Sequence, residues 1–312
     1  MNKEKLNKTY DVLKMASKIS HKYYNKPLVI ADSGGKDSAV LRQCAIDCLL
    51  PNDFEVINNH TTADAPQTVY YIRDTFKKLN EQGIKATILM PNTTMWELIV
   101  KKGMPPTRLA RYCCKVLKET AIPNRVLAVG VRADESAGRT GREVFAVRGK
   151  TKKDGVYFDL QHTQEVFADA EKITAELKQK DTELNAYDCT LVANAKKNND
   201  IVVNPIYEWS DTEIWDFIHE RNIEVCDLYN MGYERVGCLF CPNATYKWKK
   251  KMEHDFPKYK ENYIKAFQRM IDTKKKAGKR VEWENGVDCF NWWIQEYEHN
   301  VKGQYNMFNK EE

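Results

Sequence analysis

Short apolar runs alternate with longer segments of helical periodicity through the first part of the chain. Leu6, Tyr10, Leu13, Ala16 and Ile19 recur at helical intervals, which predicts an amphipathic covering helix from about Lys3 to Tyr24. A short apolar run, Pro27 to Ala31, is followed at once by a glycine-bearing loop. A helix comes next, with Ala39, Val40, Leu41, Cys44, Ala45, Cys48 and Leu49 on a broad apolar face. The alternation then repeats. Phe54 to Asn58, Lys85 to Met90, Val126 to Val131 and Ile201 to Ile206 read as strands, with helices over Thr68 to Leu79 and Met95 to Lys101. This order predicts an α/β fold, a mostly parallel sheet with helices on both faces. Ligands of such sheets bind beyond the C-terminal strand ends, where Asp32 to Gly35 and Arg132 to Glu135 fall.

The pattern weakens between Gly149 and Asp200, where charges, Asn and Gln dominate, and a partly helical insertion is expected there. From Ser210 the chain reads as helical. Ser210 with Glu213 three residues on makes a capping box, and Phe256 to Lys276 and Cys289 to Glu298 are two further helices. The expected organisation is a nucleotide-binding α/β domain over residues 1–206, with a variable insertion over 150–200. A helical C-terminal region over 207–312 contributes a Cys-x-x-Cys pair.

Ser33-Gly34-Gly35-Lys36-Asp37-Ser38 carries the first chemistry. A strand ends, two glycines let backbone approach a ligand without a Cβ, and a helix begins with its N–H groups and dipole aimed at an anion. Lys36 adds a point charge and the hydroxyls of Ser33 and Ser38 add donors. The spacing is not that of the Walker A loop. Further on, Arg132 and Arg139 bracket Asp134-Glu135-Ser136 after the Val126 strand, and guanidinium forks there suit a phosphate or sulfate.

Composition narrows the setting. The 312 residues are 42% hydrophobic and 30% charged with a formal net charge of +5, an ordinary globular balance that tolerates a polyanionic partner without demanding one. With no apolar run of signal-peptide or bilayer length, a cytoplasmic protein is expected. In that compartment the nine cysteines are not expected to form disulfides. Cys113 and Cys114 are adjacent, and Cys238 and Cys241 form a Cys-x-x-Cys. From the Cys-x-x-Cys alone, a metal site, a redox pair and coincidence all stay open. The adjacent pair favours an iron–sulfur cube over zinc, since neighbouring residues reach two corners of one zinc awkwardly. Cys44 and Cys48 share an apolar helix face and are expected in the core, as is Cys289.

The loop Ser33 to Ser38 resembles that of the PP-loop ATP pyrophosphatases. The resemblance implies that Ser33, Gly34, Gly35, Lys36, Asp37 and Ser38 grip the pyrophosphate end of ATP, with Mg²⁺ required and Asp37 on the metal side. The Gly130 to Arg139 segment, Thr61 to Thr68, and Asn204-Pro205-Ile206 with Trp209, Ser210 and Trp215 resemble the PAPS reductase-like branch of that family, over roughly Pro27 to Trp293. Asp64, Arg132, Glu135, Ser136 and Arg139 would complete the nucleotide site, with Lys36, Asp37, Arg132 and Arg139 as its catalytic set.

The cysteine pattern is similar to that of assimilatory APS reductases and of DNA phosphorothioation ATP pyrophosphatases (Dnd or Ssp type). There it implies that Cys113, Cys114, Cys238 and Cys241 hold a [4Fe–4S] cluster, with zinc as the alternative. Sulfonucleotide reductases carry a nucleophilic cysteine in a Glu-Cys-Gly-Leu-His motif, and the chain ends VKGQYNMFNKEE without it. The expected activity is therefore adenylation of an acceptor during sulfur incorporation, most closely DNA phosphorothioation. A cysteine desulfurase and other subunits of the modification system are the implied partners. An APS or PAPS reductase and a non-catalytic nucleotide-binding Fe–S scaffold are the alternatives. The stretch Tyr246-Lys247-Trp248-Lys249-Lys250-Lys251, with Lys274 to Lys276, Lys279 and Arg280, reads either as a face for nucleic acid or as a solvated helix face.

Overall fold

The apolar run after Pro27 becomes β1 (Leu28–Ala31), whose Leu28, Val29 and Ile30 are fully buried at the centre of the sheet. The structure, a computed structural model, describes residues 3–118, 125–135, 145–147 and 201–295. The expected insertion over 150–200, with Ser136 and Arg139, lies outside them.

Among the described residues six strands make one sheet in the order β3-β2-β1-β4-β6-β5. β2 (Phe54–Asn59), β3 (Ala86–Leu89), β4 (Val126–Ala128) and β6 (Ile201–Val203) continue the parallel arrangement of β1, while β5 (Phe145–Val147) pairs antiparallel with β6 at the edge. The predicted strands are all present. β4 and β6 stop three residues short of the predicted runs, because the chain turns there to build the site. β5 was not anticipated; three residues are too few to show a period.

After β1 the chain steps to β2 and β3 on one side and then returns to place β4 on the other. The C-terminal ends of β1 and β4 therefore lie at the point where strand order reverses, the position at which open parallel sheets receive ligands.

The chain divides into two compact units, residues 1–92 with 112–238 and residues 93–111 with 239–312, so its organisation does not follow a single cut near residue 206. In the first unit α1 (Lys3–Tyr24), α2 (Lys36–Cys48) and α5 (Asp211–Glu220) pack together beside β1 and β4, and α3 (Pro66–Glu81) packs on β3. Its core gathers Leu13, Leu28, Ile30, Leu41, Cys44, Phe54, Phe76 and Phe217 among others. Burying such side chains contributes roughly 1.5–3 kcal/mol each. Ser210 caps α5 as predicted, accepting from the Glu213 N–H while the Glu213 carboxylate accepts from the Ser210 N–H. Glu55, buried on β2, is matched by Arg125 and by Lys85 at 2.8 Å. Burial alone would raise its pKa, and these two cations overrule that and hold it low.

The second unit comprises α4 (Met95–Lys102), α6 (Tyr246–Asp255), α7 (Pro257–Lys276) and α8 (Gly286–Ile294). α8 starts three residues before the predicted Cys289, because the Asn285 side chain caps it by accepting from the Val287 and Asp288 N–H groups. Phe240, Tyr263, Phe267, Phe290 and Trp293 form its aromatic core with ring centroids 4.7 to 6.5 Å apart. Cys289 is fully buried in that core, with its thiol pushed up by burial.

Candidate active site

The loop between β1 and α2 is organised by Asp32, whose carboxylate is wholly buried. One oxygen accepts from the Gly34 N–H at 2.8 Å and from the Ser38 hydroxyl at 2.9 Å, and the other pairs with Arg42 of α2. Burial opposes the Arg42 charge, but Asp32 outweighs it and raises the guanidinium above its ordinary pKa. Gly34 turns through a left-handed φ of +79°, and a Cβ there would stand 3.0 Å from Thr68 of α3. Thr68 and Ile72 of α3 are thus pressed against the loop, and only glycine fits the turn.

β4 ends on the other side of the loop. At Gly130 a Cβ would lie 3.1 Å from the Asp37 carbonyl carbon and the Ser38 nitrogen, so its missing side chain lets two loops pack backbone to backbone. This close approach delivers Arg132 to the loop. Its Nε donates to Asp37 at 2.6 Å, its Nη1 to the Trp209 carbonyl at 3.2 Å and its Nη2 to Asp211 at 2.8 Å. Lys36 Nζ sits 3.0 Å from the same Asp211 oxygen and 3.6 Å from Asp37.

Both cations are nearly buried, the Lys36 and Arg132 side chains keeping 7% and 3% of their exposure, whereas Asp211 keeps 53%. Burial would raise the Asp211 pKa, but Lys36 and Arg132 prevail and hold it below the ordinary value. The Lys36 N–H, at the start of α2, donates to the Tyr229 hydroxyl at 2.7 Å.

The structure therefore brings Ser33, Gly34, Gly35, Lys36, Asp37, Ser38 and Arg132 together. Glu135 ends a single 3₁₀ turn after Arg132. Asp64 is engaged elsewhere, accepting from the Thr61 N–H at 2.7 Å and bridging through backbone to Cys238. Four participants were not singled out from the sequence: Asp32, Arg42, Asp211 and Tyr229. Asp32 carries a signal, since an Asp two residues before Gly34 favours a turn closed by its own side chain. Asp211 reads as an ordinary helix-start charge, and Tyr229 has no local signal.

Cys113, Cys114 and Cys238 belong to the first unit, and Cys241 to the second. Cys113 and Cys114 are buried, Cys114 opening one turn of π-helix (Cys114–Lys118). The Cys238 thiol lies 3.4 Å from the Thr61 hydroxyl. Burial pushes it up to about 11, with Cys113 near enough to add to the rise and Lys118 near enough to oppose it. Among the described residues no three His, Cys, Asp or Glu side chains stand close enough to enclose a metal ion.

The lysine-rich stretch after Cys241 forms α6. Lys250 pairs with Glu253 at 2.6 Å, Lys251 with Asp255 at 2.7 Å, and Lys249 is buried. The helix thus supplies acids to two of its own four lysines, Lys250 and Lys251. No helix among the described residues is long and apolar enough to cross a membrane.

Residues 27–244 match the family described as phosphoadenosine phosphosulfate reductase domain. Two uncharacterised proteins of Methanocaldococcus jannaschii are similar. One is 25% identical over 283 residues, covering 89% of this chain and 55% of the relative. The other is 24% identical over 255 residues, covering 79% and 42%. The chain thus spans about half the length of these curated relatives. An adenosine 5′-phosphosulfate reductase of Allochromatium vinosum is 38% identical over 42 residues, 14% of this chain and 16% of that protein. Among solved structures, the PAPS reductase of Candida auris in a phosphate complex is 13% identical with a TM-score of 0.42, covering 75% of this chain and 89% of that one. The U34-tRNA thiolase NcsA of Methanococcus maripaludis with its [4Fe–4S] cluster is 15% identical with a TM-score of 0.41, covering 90% and 81%.

Proposed function

The chain belongs to the phosphoadenosine phosphosulfate reductase domain family, and from that premise we propose that it is an ATP pyrophosphatase adenylating an acceptor for sulfur incorporation. The observation that carries the reading is the convergence of two nearly buried cations, Lys36 and Arg132, on a glycine loop at the switch point of the sheet. Isolated buried cations are costly, and oriented ones are suited to stabilise charge that grows during a reaction.

The acceptor oxygen attacks the α-phosphorus in line with the bond to the β-phosphate. A new P–O bond forms as that bond breaks, and pyrophosphate leaves with the bonding electron pair. Negative charge grows on the leaving group, beside Lys36 and the N-terminus of α2. Arg132, held by Asp37, orients the phosphate chain. Mg²⁺, when bound, would neutralise pyrophosphate charge with Asp37 as a ligand. The adenylylated acceptor then has AMP as leaving group for a sulfur nucleophile supplied by a cysteine desulfurase.

The acceptor we favour is a DNA phosphate oxygen, with Cys113, Cys114, Cys238 and Cys241 as ligands of a [4Fe–4S] cluster. Among the described residues no three of these thiols are gathered around a metal position.

The test is pyrophosphate release from ATP with and without DNA and a sulfur donor. Lys36→Ala should lower the rate by about 100-fold or more. An unchanged rate would sink the reading, and thioredoxin-dependent sulfite release from APS or PAPS would replace it with a reductase. Iron and sulfide content after anaerobic purification tests the cysteine assignment separately.

A further inference from the structure

The donors around the phosphate loop are engaged by the chain itself, and their partners differ in kind. Asp32 and Ser33, which accept from the Gly34 and Gly35 N–H groups, are parts of the loop, and Asp32 is locked by Arg42. Tyr229 and Asp211 are not parts of it. Asp211 opens α5, and the Tyr229 ring rests edge-on against Trp215 one turn along the same helix, with centroids 5.2 Å apart at 87°. One short segment of the chain therefore supplies both.

The Tyr229 hydroxyl oxygen accepts the Lys36 N–H, the first amide of α2, at 2.7 Å. A single Asp211 oxygen receives both Lys36 Nζ at 3.0 Å and Arg132 Nη2 at 2.8 Å. A helix-opening amide and two convergent cations around one anionic oxygen form the donor set that a phosphate oxygen takes. Asp211 is also half exposed, so its carboxylate can turn to water once a phosphate oxygen takes over the two nearly buried cations.

We infer that the Tyr229 hydroxyl and the Asp211 carboxylate stand in for phosphate oxygens, and that nucleotide binding exchanges both for phosphate. They are positioning residues that set how tightly the loop binds nucleotide. The inference rests on the loop being a nucleotide site.

Such an exchange leaves a signature that neither a structural residue nor a ligand-holding residue produces. The stand-ins stabilise the nucleotide-free protein and oppose binding, because apparent affinity falls with the fraction of protein in the open state. Removing one should lower stability without ligand and tighten nucleotide binding. A structural residue would lower both, and a residue that holds nucleotide would weaken binding.

The experiment compares the full chain with Tyr229→Phe, Asp211→Asn, Asp211→Glu and the Tyr229→Phe/Asp211→Asn double variant, with Lys36→Ala as control. Mg-ATP affinity is read by equilibrium titration and melting temperature is read without ligand. Tyr229→Phe keeps the ring against Trp215 and changes no charge. It and Asp211→Asn should each tighten ATP binding by about 3- to 10-fold, the weight of one internal hydrogen bond or ion pair. The double variant should bind tighter still, both melting temperatures should fall, and Asp211→Glu should stay near wild type. Unchanged or weakened ATP binding in Tyr229→Phe and Asp211→Asn, with Lys36→Ala still abolishing binding, overturns the exchange alone. ATP affinity indifferent to Lys36→Ala overturns the nucleotide reading and the exchange with it.

Discussion

Replacing Arg42 with methionine tests how the phosphate loop is held. Arg42 is buried in α2 and pairs with Asp32, whose carboxylate has no exposure at all. Methionine fills much of the volume of the arginine stem and removes the charge, leaving Asp32 with the Gly34 N–H and Ser38 hydroxyl as donors but no cation. Breaking a buried pair by removing one partner costs about 3–5 kcal/mol, because the remaining charge is uncompensated. The two surviving donors place this case at the lower end, about 3 kcal/mol. Tyr71 loses the Arg42 Nη2–H donor at 3.0 Å but keeps its own bond to the Glu224 carbonyl at 2.9 Å, which adds little.

For a unit of this size, about 3 kcal/mol corresponds to roughly 6–12 °C in melting temperature. Thermal melting followed by circular dichroism measures it. The control is a double-mutant cycle with Asp32→Asn. If the pair carries the cost, Asp32→Asn/Arg42→Met should be more stable than the sum of the two single losses by about 1–3 kcal/mol. An Arg42→Met loss below about 1 kcal/mol, or strict additivity in the cycle, would refute the argument that Asp32 is held by charge rather than by its loop hydrogen bonds.

Three further outcomes follow from the same geometry. Gly130→Ala should weaken ATP binding by about 10-fold or more while the chain stays folded, since its Cβ must push the Asp37 and Ser38 backbone aside from 3.1 Å; equal affinity in a titration would contradict the close packing. Lys249 is buried at 4% exposure, and burial, helped by Arg108 and opposed by Cys241, pushes its ammonium down to about 8. Unfolding therefore takes up a proton between about pH 8 and the ordinary lysine value. In the metal-free protein Lys249 costs up to about 3 kcal/mol of stability at pH 7, a penalty that fades as pH rises through that window. Lys249→Met should gain up to that amount near neutrality, and its advantage over wild type should shrink by pH 10; a pH-independent difference in urea midpoints would exclude titration as the cause. Alkylation of the native protein near pH 8 should spare Cys44 and Cys289, both fully buried with thiols pushed up by burial, until denaturant is added; rapid labelling of Cys289 in the native state would contradict that burial.

Much of this architecture is legible in local pattern. The β1–loop–α2 unit announces itself, because an apolar run, Gly-Gly and a helix with a wide apolar face are each short-range signals that agree. The capping box at Ser210 and Glu213 is equally local, and the structure reproduces both of its hydrogen bonds. β5 escapes notice because three residues carry no period. The interleaving of residues 93–111 with 239–312 escapes for a different reason. The capped helix α4 reads like the other sheet-covering helices, and only the long-range packing of Met95, Leu98 and Ile99 assigns it to the second unit.

The candidate site divides along the same line. Lys36 and Arg132 are readable because each lies beside a strand end whose glycine lets backbone come close, at Gly34 and Gly130. Of their counter-charges, Asp37 is readable in the loop itself but Asp211 is not, because charge balance is a property of three-dimensional proximity. Two nearly buried cations cannot stay 2.8 and 3.0 Å from one oxygen unless that oxygen is anionic, so some carboxylate had to stand there. The sequence offers several candidates nearby, including Asp134 and Glu135, and nothing in their spacing favours Asp211 over them. What selects Asp211 is the fold: β6 lies next to β4, and the turn leaving β6 carries the Trp209 carbonyl and the N-terminus of α5 against Arg132. The same helix then places Trp215 under Tyr229. The phosphate loop and the carboxylate that faces its cations thus come from opposite sides of β4, and sheet order joins them.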